Sequence, residues 1–225
     1  MKEIVNQLSL SASQCLRIER LTNHGFGVGH AEDGKVVFVA DSAPGDLVRV
    51  AFDEDHGNYS VAHIVELTEP SPIRVAPSCP FVATCGGCCW QHIAYEAQCT
   101  TKRTLVLDAL ERIAHFAAIR TERLVASCMP APRPLKYRNK LELGAVWDPQ
   151  QGFTLGFYRA DSTRIATPER CLLAHEAIVA APRALRGALR YAQGVADLGI
   201  YRVGMRHSER SGSLELALWT EPGIV

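Results

Sequence analysis

The 225-residue sequence has no long hydrophobic run; nothing in it approaches the ~20 apolar residues of a membrane span. It opens MKEIVNQLSL, which lacks the apolar stretch of a secretory signal, so a cytoplasmic protein with no membrane partner is expected. It carries no net charge, with 24 Lys and Arg against 24 Asp and Glu, so the whole-chain balance neither favours nor excludes nucleic acid. No internal repeat and no low-complexity tract occurs. After residue 160 there is no strand, glycine-rich loop and helix in succession, and no cysteine follows Cys171.

What is present is ordinary globular composition, 47% hydrophobic and 21% charged, enough for one large or two modest domains. The charge is unevenly spread. Residues 1–68 hold five Lys or Arg against ten Asp or Glu, whereas 98–140 hold nine basic residues and three acidic ones. A local basic patch can hold an anionic partner on a neutral protein; a solvated helix face is the competing reading of any single charge in it.

Residues 10–68 read as short strands: LRIERL, KVVFVA, DLVRVAF and YSVAHIVEL, separated by Asp33-Gly34, Pro44-Gly45 and Gly57-Asn58. In the second, Val36, Phe38 and Ala40 share a face; in the third, Val48, Val50 and Phe52 do. Four or five such strands suggest a small barrel of OB type. GFGVG (25–29) lacks the context of a dinucleotide loop, and close strand approach is the better reading of its glycines. EPSPIRVAPSCP, with four prolines, reads as a connector. A helix is expected over 92–117, with Val106, Leu110, Ile113 and Ala117 at helical spacing. Strands follow in KYRNKLELGAVW and FTLGFYR, joined by a turn at Asp148–Gly152. The spacing predicts a helix over 172–193 that Pro182 should break or kink, then a hairpin turning near Ser211-Gly212.

Four of the eight cysteines lie between Cys79 and Cys89. Cys79-x5-Cys85-x2-Cys88 contains the smallest common loop that aims two thiolates at one centre, and Gly86 and Gly87 free its backbone. A metal-centred site is the leading reading, with zinc the generic occupant; a redox pair lacks its βαβ setting, and unrelated buried thiols would not cluster so. Three ligands call for a fourth. Cys171 is the best candidate, although spacing alone does not choose it over Cys99 or Cys128. Cys15 is expected to be buried filler.

At these residues the chain resembles a known family. "RVAPSCPFVATCGGCCWQHIAYEAQCTTK" is similar to the cluster-binding segment of the RNA uracil-C5 (5-methyluridine) methyltransferases, the 23S rRNA branch in particular. "GFGVGHAEDGKVVFVADSAPGDLVRV" is similar to their TRAM domain, "PLKYRNKLEL" to their central strand signature, and "LGFYRADSTRIATPERCLL" to the segment bearing the distal cysteine. The resemblance implies a [4Fe–4S] cluster on Cys79, Cys85, Cys88 and Cys171 rather than zinc. It also implies S-adenosylmethionine as methyl donor and structured RNA, 23S rRNA, as substrate. Cys89 and Pro182 depart from the family pattern, and Cys89 reads as a bystander.

The expected fold is α+β. An OB-like five-stranded TRAM barrel (1–68) leads through a proline-rich connector (69–78) to a mixed α/β central domain around the four cysteines (79–225). The Rossmann-like catalytic domain of the family is expected to be missing, so no catalytic residue is expected in this chain. The expectation is the RNA-recognition portion of an RNA (uracil-5-)-methyltransferase, inactive by itself and monomeric; the alternative is a stand-alone iron–sulfur or zinc RNA-binding module. Lys136, Arg138 and Lys140, at period two, are the expected phosphate contacts. Lys35 and Arg49, with Phe26 for stacking, are expected to add a local face on the acidic barrel.

Overall fold

The Val- and Ile-rich runs form strands because their stiff branched side chains pack well on a pleated surface. The computed structural model describes residues 13–160, 164–194 and 197–223. It divides into two compact units. One takes in the described residues up to Pro77 together with Cys89–Pro130; the other takes Ser78–Cys88 and the residues from Ala131 onward. This differs from the expected boundaries. The break falls between Cys88 and Cys89, and the helical segment after it belongs with the first strands.

In the first unit, β1 (Gln14–Arg17), β2 (Arg20–Leu21), β3 (Gly27–His30), β4 (Val36–Val39), β5 (Leu47–Asp55) and β6 (Tyr59–Glu69) form one sheet in the order β1-β5-β6-β4-β3-β2. β4 and β6 run parallel; the other pairs are antiparallel. The expected five-stranded barrel is thus a six-stranded sheet, and no ladder joins its end strands. Those ends are consecutive in the chain, however. Ile18 N–H donates to Asp46 O at 2.9 Å and Glu19 N–H to Val28 O at 2.8 Å, so one segment serves both ends.

The core is Leu16, Ile18, Val37, Val39, Val48, Val50 and Ala62. Val37 and Val39 face it, not Val36, Phe38 and Ala40; Phe38 meets Tyr59 edge-on, ring centroids 5.3 Å apart. Both faces of β4 are apolar, which hides the inward one from a period-two reading. Cys15 is exposed, contrary to expectation. The close approach expected for GFGVG is present: a Cβ on Gly27 would lie 1.9 Å from Ser42 Oγ, and one on Gly29 2.6 Å from Leu16 Cδ1.

The proline-rich stretch is no free connector where it meets this sheet. Asp46, with no exposed side-chain surface, accepts from Ala43 N–H (2.6 Å), Ser71 N–H (2.8 Å) and Arg74 Nε (2.8 Å) and Nη2 (2.7 Å). Val75 N–H then donates to His92 O and Ala94 N–H to Ile73 O. His92, buried, donates from Nε2 to Ser42 O at 3.1 Å. Leu21, Ala43 and Ile93 pack with Ile73, Trp90 and Ala97. Helix α1 (Tyr95–Arg112) follows, then α2 (Ala118–Leu124). Leu107 is the buried residue of α1, whereas Val106 and Ile113 of the expected apolar face are exposed.

In the second unit, β7 (Lys140–Asp148), β8 (Gly152–Tyr158), β9 (Ile165–Ala166), β10 (Ile200–His207) and β11 (Leu214–Thr220) form an antiparallel sheet ordered β11-β10-β7-β8-β9. Asp148 Oδ1 accepts from Gln150 and Gln151 N–H and shapes the expected β7–β8 turn. Helix α3 (Ala181–Gln193) lays Ala181, Leu185 and Leu189 against Leu141, Leu143, Phe153, Leu155 and Val203. Pro182 starts this helix instead of breaking it, since its missing N–H falls where a helix has no internal partner. Residues 176–178 make only a 3-10 turn. Among the described residues no helix is long and apolar enough to cross a membrane.

Two titrating groups give the first unit a direction of pH dependence. Burial pushes the Asp46 carboxyl up, but the Arg74 guanidinium and the Ser71 and Ala43 amides outweigh it and hold it below the ordinary range. Burial holds the His92 imidazole below its ordinary value against the Ser42 carbonyl. In both cases the unfolded chain binds more protons, so stability falls as pH falls. The loss should begin below about pH 6.5 through His92 and deepen below about pH 4 through Asp46. Asp46→Asn strands the Arg74 charge and should lower stability by about 3 kcal/mol at pH 7. It should also abolish the phase below about pH 4 in urea unfolding measured across pH, while the His92 phase remains.

Candidate functional site

The cysteine loop is built from tight turns. Val82 N–H donates to Cys79 O, and Thr84 and Cys85 N–H both donate to Phe81 O. Gly86 N–H then donates to Tyr158 O at 3.0 Å, tying the loop to the end of β8. A Cβ on Gly86 would sit 2.8 Å from Ala160 N and 2.9 Å from Tyr158 O, so backbone occupies the space any other residue needs. Gly87 has no such neighbour; its amide instead donates to the Cys85 sulfur.

Cys171 is held from the other side. Its N–H donates to Val179 O, and its carbonyl accepts from Ala174 N–H. It packs against the core of the second unit, half-buried. The chain at 136–138 runs alongside: Lys136 N–H donates to Leu172 O and Arg138 N–H to Leu173 O.

These placements bring four thiols within electrostatic reach. Burial pushes the Cys85 thiol up; the Gly87 amide works against this, and the neighbouring Cys88, Cys171 and Cys79 sulfurs each push it further. Cys171, rather than Cys99 or Cys128, is the distal cysteine whose charge reaches Cys85. Cys99 lies on α1 and Cys128 in the loop after α2, both within the first unit. Cys89, adjacent to Cys88 in sequence, also belongs there. A Cβ placed on Gly25 would fall 2.8 Å from its sulfur. Burial raises its thiol pKa, and no other cysteine contributes.

The four thiols are not a ready single-ion site. Among the described residues, no three His, Cys, Asp or Glu side chains are gathered so as to hold a metal ion. A tetrahedral zinc with bonds of ~2.3 Å would require sulfurs roughly 3.8 Å apart. The metal centre expected at these cysteines is therefore not formed as a single-ion site among the described residues; the thiols are neighbours and no more.

The expected phosphate contacts are arranged less simply than period two suggested. β7 begins at Lys140, and Lys136 has φ 60°, so Lys136, Arg138 and Lys140 do not share one strand face. Lys136 Nζ pairs with Glu176 and Lys140 Nζ with Glu142, each at 2.6 Å, and both carboxyls are held below their ordinary range by these lysines. Arg49 pairs with Glu66 at 2.6 Å. Lys35 pairs with Asp55 in a depression of about 290 Å³ that Glu32 and Asp33 also line, an acidic setting for a phosphate. Phe26 is at the tip of a turn closed by Thr22, partly exposed. Sequence reading missed Trp219 and Tyr158, which cover the sheet of the second unit. Glycines inside otherwise alternating strands, at 144, 156 and 204, were the available signal.

Residues 13–65 match the TRAM domain family, which defines the class of the six-stranded unit. Beyond it, the chain is 33% identical over 213 residues to an uncharacterized RNA methyltransferase of Thermosynechococcus vestitus, covering 90% of this chain and 45% of that protein. It is 30% identical over 211 residues to the 23S rRNA (uracil(1939)-C(5))-methyltransferase RlmD of Alkalilimnicola ehrlichii, covering 93% and 43%. It shares the fold of the Pyrococcus abyssi tRNA (uracil-54, C5)-methyltransferase, solved with S-adenosyl-L-homocysteine, at TM-score 0.60 and 20% identity over 92% of this chain and 46% of that one. The chain therefore spans less than half the length of these relatives.

Gly86→Ala tests whether the loop depends on its backbone contact. Forcing a methyl against fixed backbone should lower the stability of the second unit by about 1–3 kcal/mol. Gly87→Ala, whose added methyl would meet the Cys85 sulfur at an ordinary 3.5 Å, should cost less than half of that by the same urea titration.

Proposed function

We propose that this chain is the RNA-recognition portion of an S-adenosylmethionine-dependent RNA (uracil-5-)-methyltransferase acting on 23S rRNA. The observation that carries this reading is the similarity to RlmD over 93% of the chain, in both units and not only in the TRAM domain. The four clustered thiols support it. Cys79, Cys85, Cys88 and Cys171 would hold a [4Fe–4S] cluster, the occupant the resemblance implies, through four thiolates. When bound, such a cluster supplies four covalent ties and no electron, because uracil methylation is redox-neutral.

The chain's own contribution is binding and positioning. The cations 136–140 flank the cysteine loop's partner segment, and their ion pairs with Glu176 and Glu142 are exposed, hence cheap to exchange for phosphate. Among the described residues the one parallel strand pair is β4–β6, with no helix crossing between its members. Methyl transfer at C5 of uracil needs a thiolate to add at C6, an acceptor for the C5 proton and a bound sulfonium donor. The described cysteines are spoken for by the cluster or lie singly.

Anaerobic purification with iron, sulfide and zinc analysis tests the cluster, with about four irons per chain expected; one zinc and no sulfide would overturn it. Cys171→Ser should lose iron as fully as Cys85→Ser, whereas Cys89→Ser, Cys99→Ser and Cys128→Ser should retain it. Titration calorimetry of the 225-residue chain with S-adenosylmethionine should show no stoichiometric binding; a site of one per chain would contradict the division of labour proposed.

A further inference from the structure

The sheet of the second unit has two faces; α3 covers one, and Ile165 and Ala166 close over the Gly156 and Gly144 end of the other. Register fixes the residues of the other. One row crosses four strands as Gly156, Gly144, Arg202 and Trp219; the next holds Glu142, Gly204 and Ala217; the next Lys140, Arg206 and Glu215. Tyr158 belongs to the same face, two residues beyond Gly156 on β8.

The three glycines are not idle. A Cβ on Gly144 would lie 2.7 Å from the Tyr158 ring, and one on Gly204 would lie 2.9 Å from the Trp219 ring. Two aromatic rings therefore lie down over glycine positions. The Arg202 guanidinium stacks over the Trp219 ring at 4.2 Å, and its Nε is buried with no hydrogen-bond partner. Tyr158 remains 53% exposed, and Lys140 and Arg206 are also exposed. Glu142 neutralises part of this charge, at 2.6 Å from Lys140 and 3.8 Å from Arg202.

We infer that this open face is a stacking platform for single-stranded RNA. Bases would stack on the Tyr158 ring and on the Arg202–Trp219 pair, while Arg206 and Lys140 meet phosphates. The chemistry is that of single-strand recognition on a sheet, where aromatic rings and guanidinium planes accept bases and nearby cations follow the backbone. A duplex keeps its bases stacked on one another and offers none to such a surface. This inference rests on the RNA reading above; it adds Tyr158, Arg202, Trp219 and Arg206 to the Lys140 contact already named there.

The test uses the full chain, a fluorescein-labelled twelve-nucleotide oligouridine and a blunt RNA duplex of equal length. The wild type should prefer the single strand, with Trp219 emission quenched on binding and that quench absent in Trp219→Phe. Tyr158→Leu should weaken the single-strand complex at least about fivefold and leave its salt slope unchanged. Arg206→Gln, an exposed change that keeps the sheet intact, should lower the slope by about 0.7. If the wild type binds oligouridine but Tyr158→Leu and Arg206→Gln bind as it does, the platform is wrong and the RNA reading stands. Preference for the duplex has the same meaning. If the wild type binds neither RNA, the platform falls together with the reading it rests on.

Discussion

The first unit is organised by one carboxylate that has no contact with water. A charge buried without partners costs several kcal/mol, so Asp46 is tolerable only with its lone pairs filled. They are filled from two directions, by Ala43 in its own loop and by Ser71 and Arg74 from the next segment. That requirement turns a proline-rich stretch into a strap. Arg74 and Ile93 then pair, and the chain after the cysteine loop returns to the place it left.

The second unit solves a different problem: how to hold a sheet flat enough to be useful on one side. Helix α3 supplies a core on one face. On the other, glycines remove side chains and aromatic rings replace the lost contact, a device that stabilises strands in which glycine is otherwise weak. The cysteine loop joins this unit through Gly86, and Cys171 joins it through the 3-10 turn. Two backbone contacts therefore place the loop and Cys171 in the same unit.

Much of this was legible in the residues, and the failures have physical causes. The hairpins β7–β8 and β10–β11 were readable because turn residues and alternation agree. The inward face of β4 was not, because Val36 to Val39 is apolar on both sides. Pro182 was misread because a proline inside an apparent helix and a proline at a helix start look alike until the 3-10 turn before it is known. Lys136 was misplaced because alternation runs on past a strand's true beginning, and only its positive φ marks the break. Cys171 needed the fold itself. The boundary between Cys88 and Cys89 had no composition shift to betray it.

The division at that bond has a consequence for synthesis. The two units interleave, so neither is complete as one continuous stretch. Cys79, Cys85 and Cys88 are made long before Cys171, their fourth neighbour. At the usual pace of translation the interval for these ~80 residues is roughly four to sixteen seconds. For that time the three early thiols are made and the distal one is not, so their neighbourhood is set by the order of synthesis before it is set by the fold.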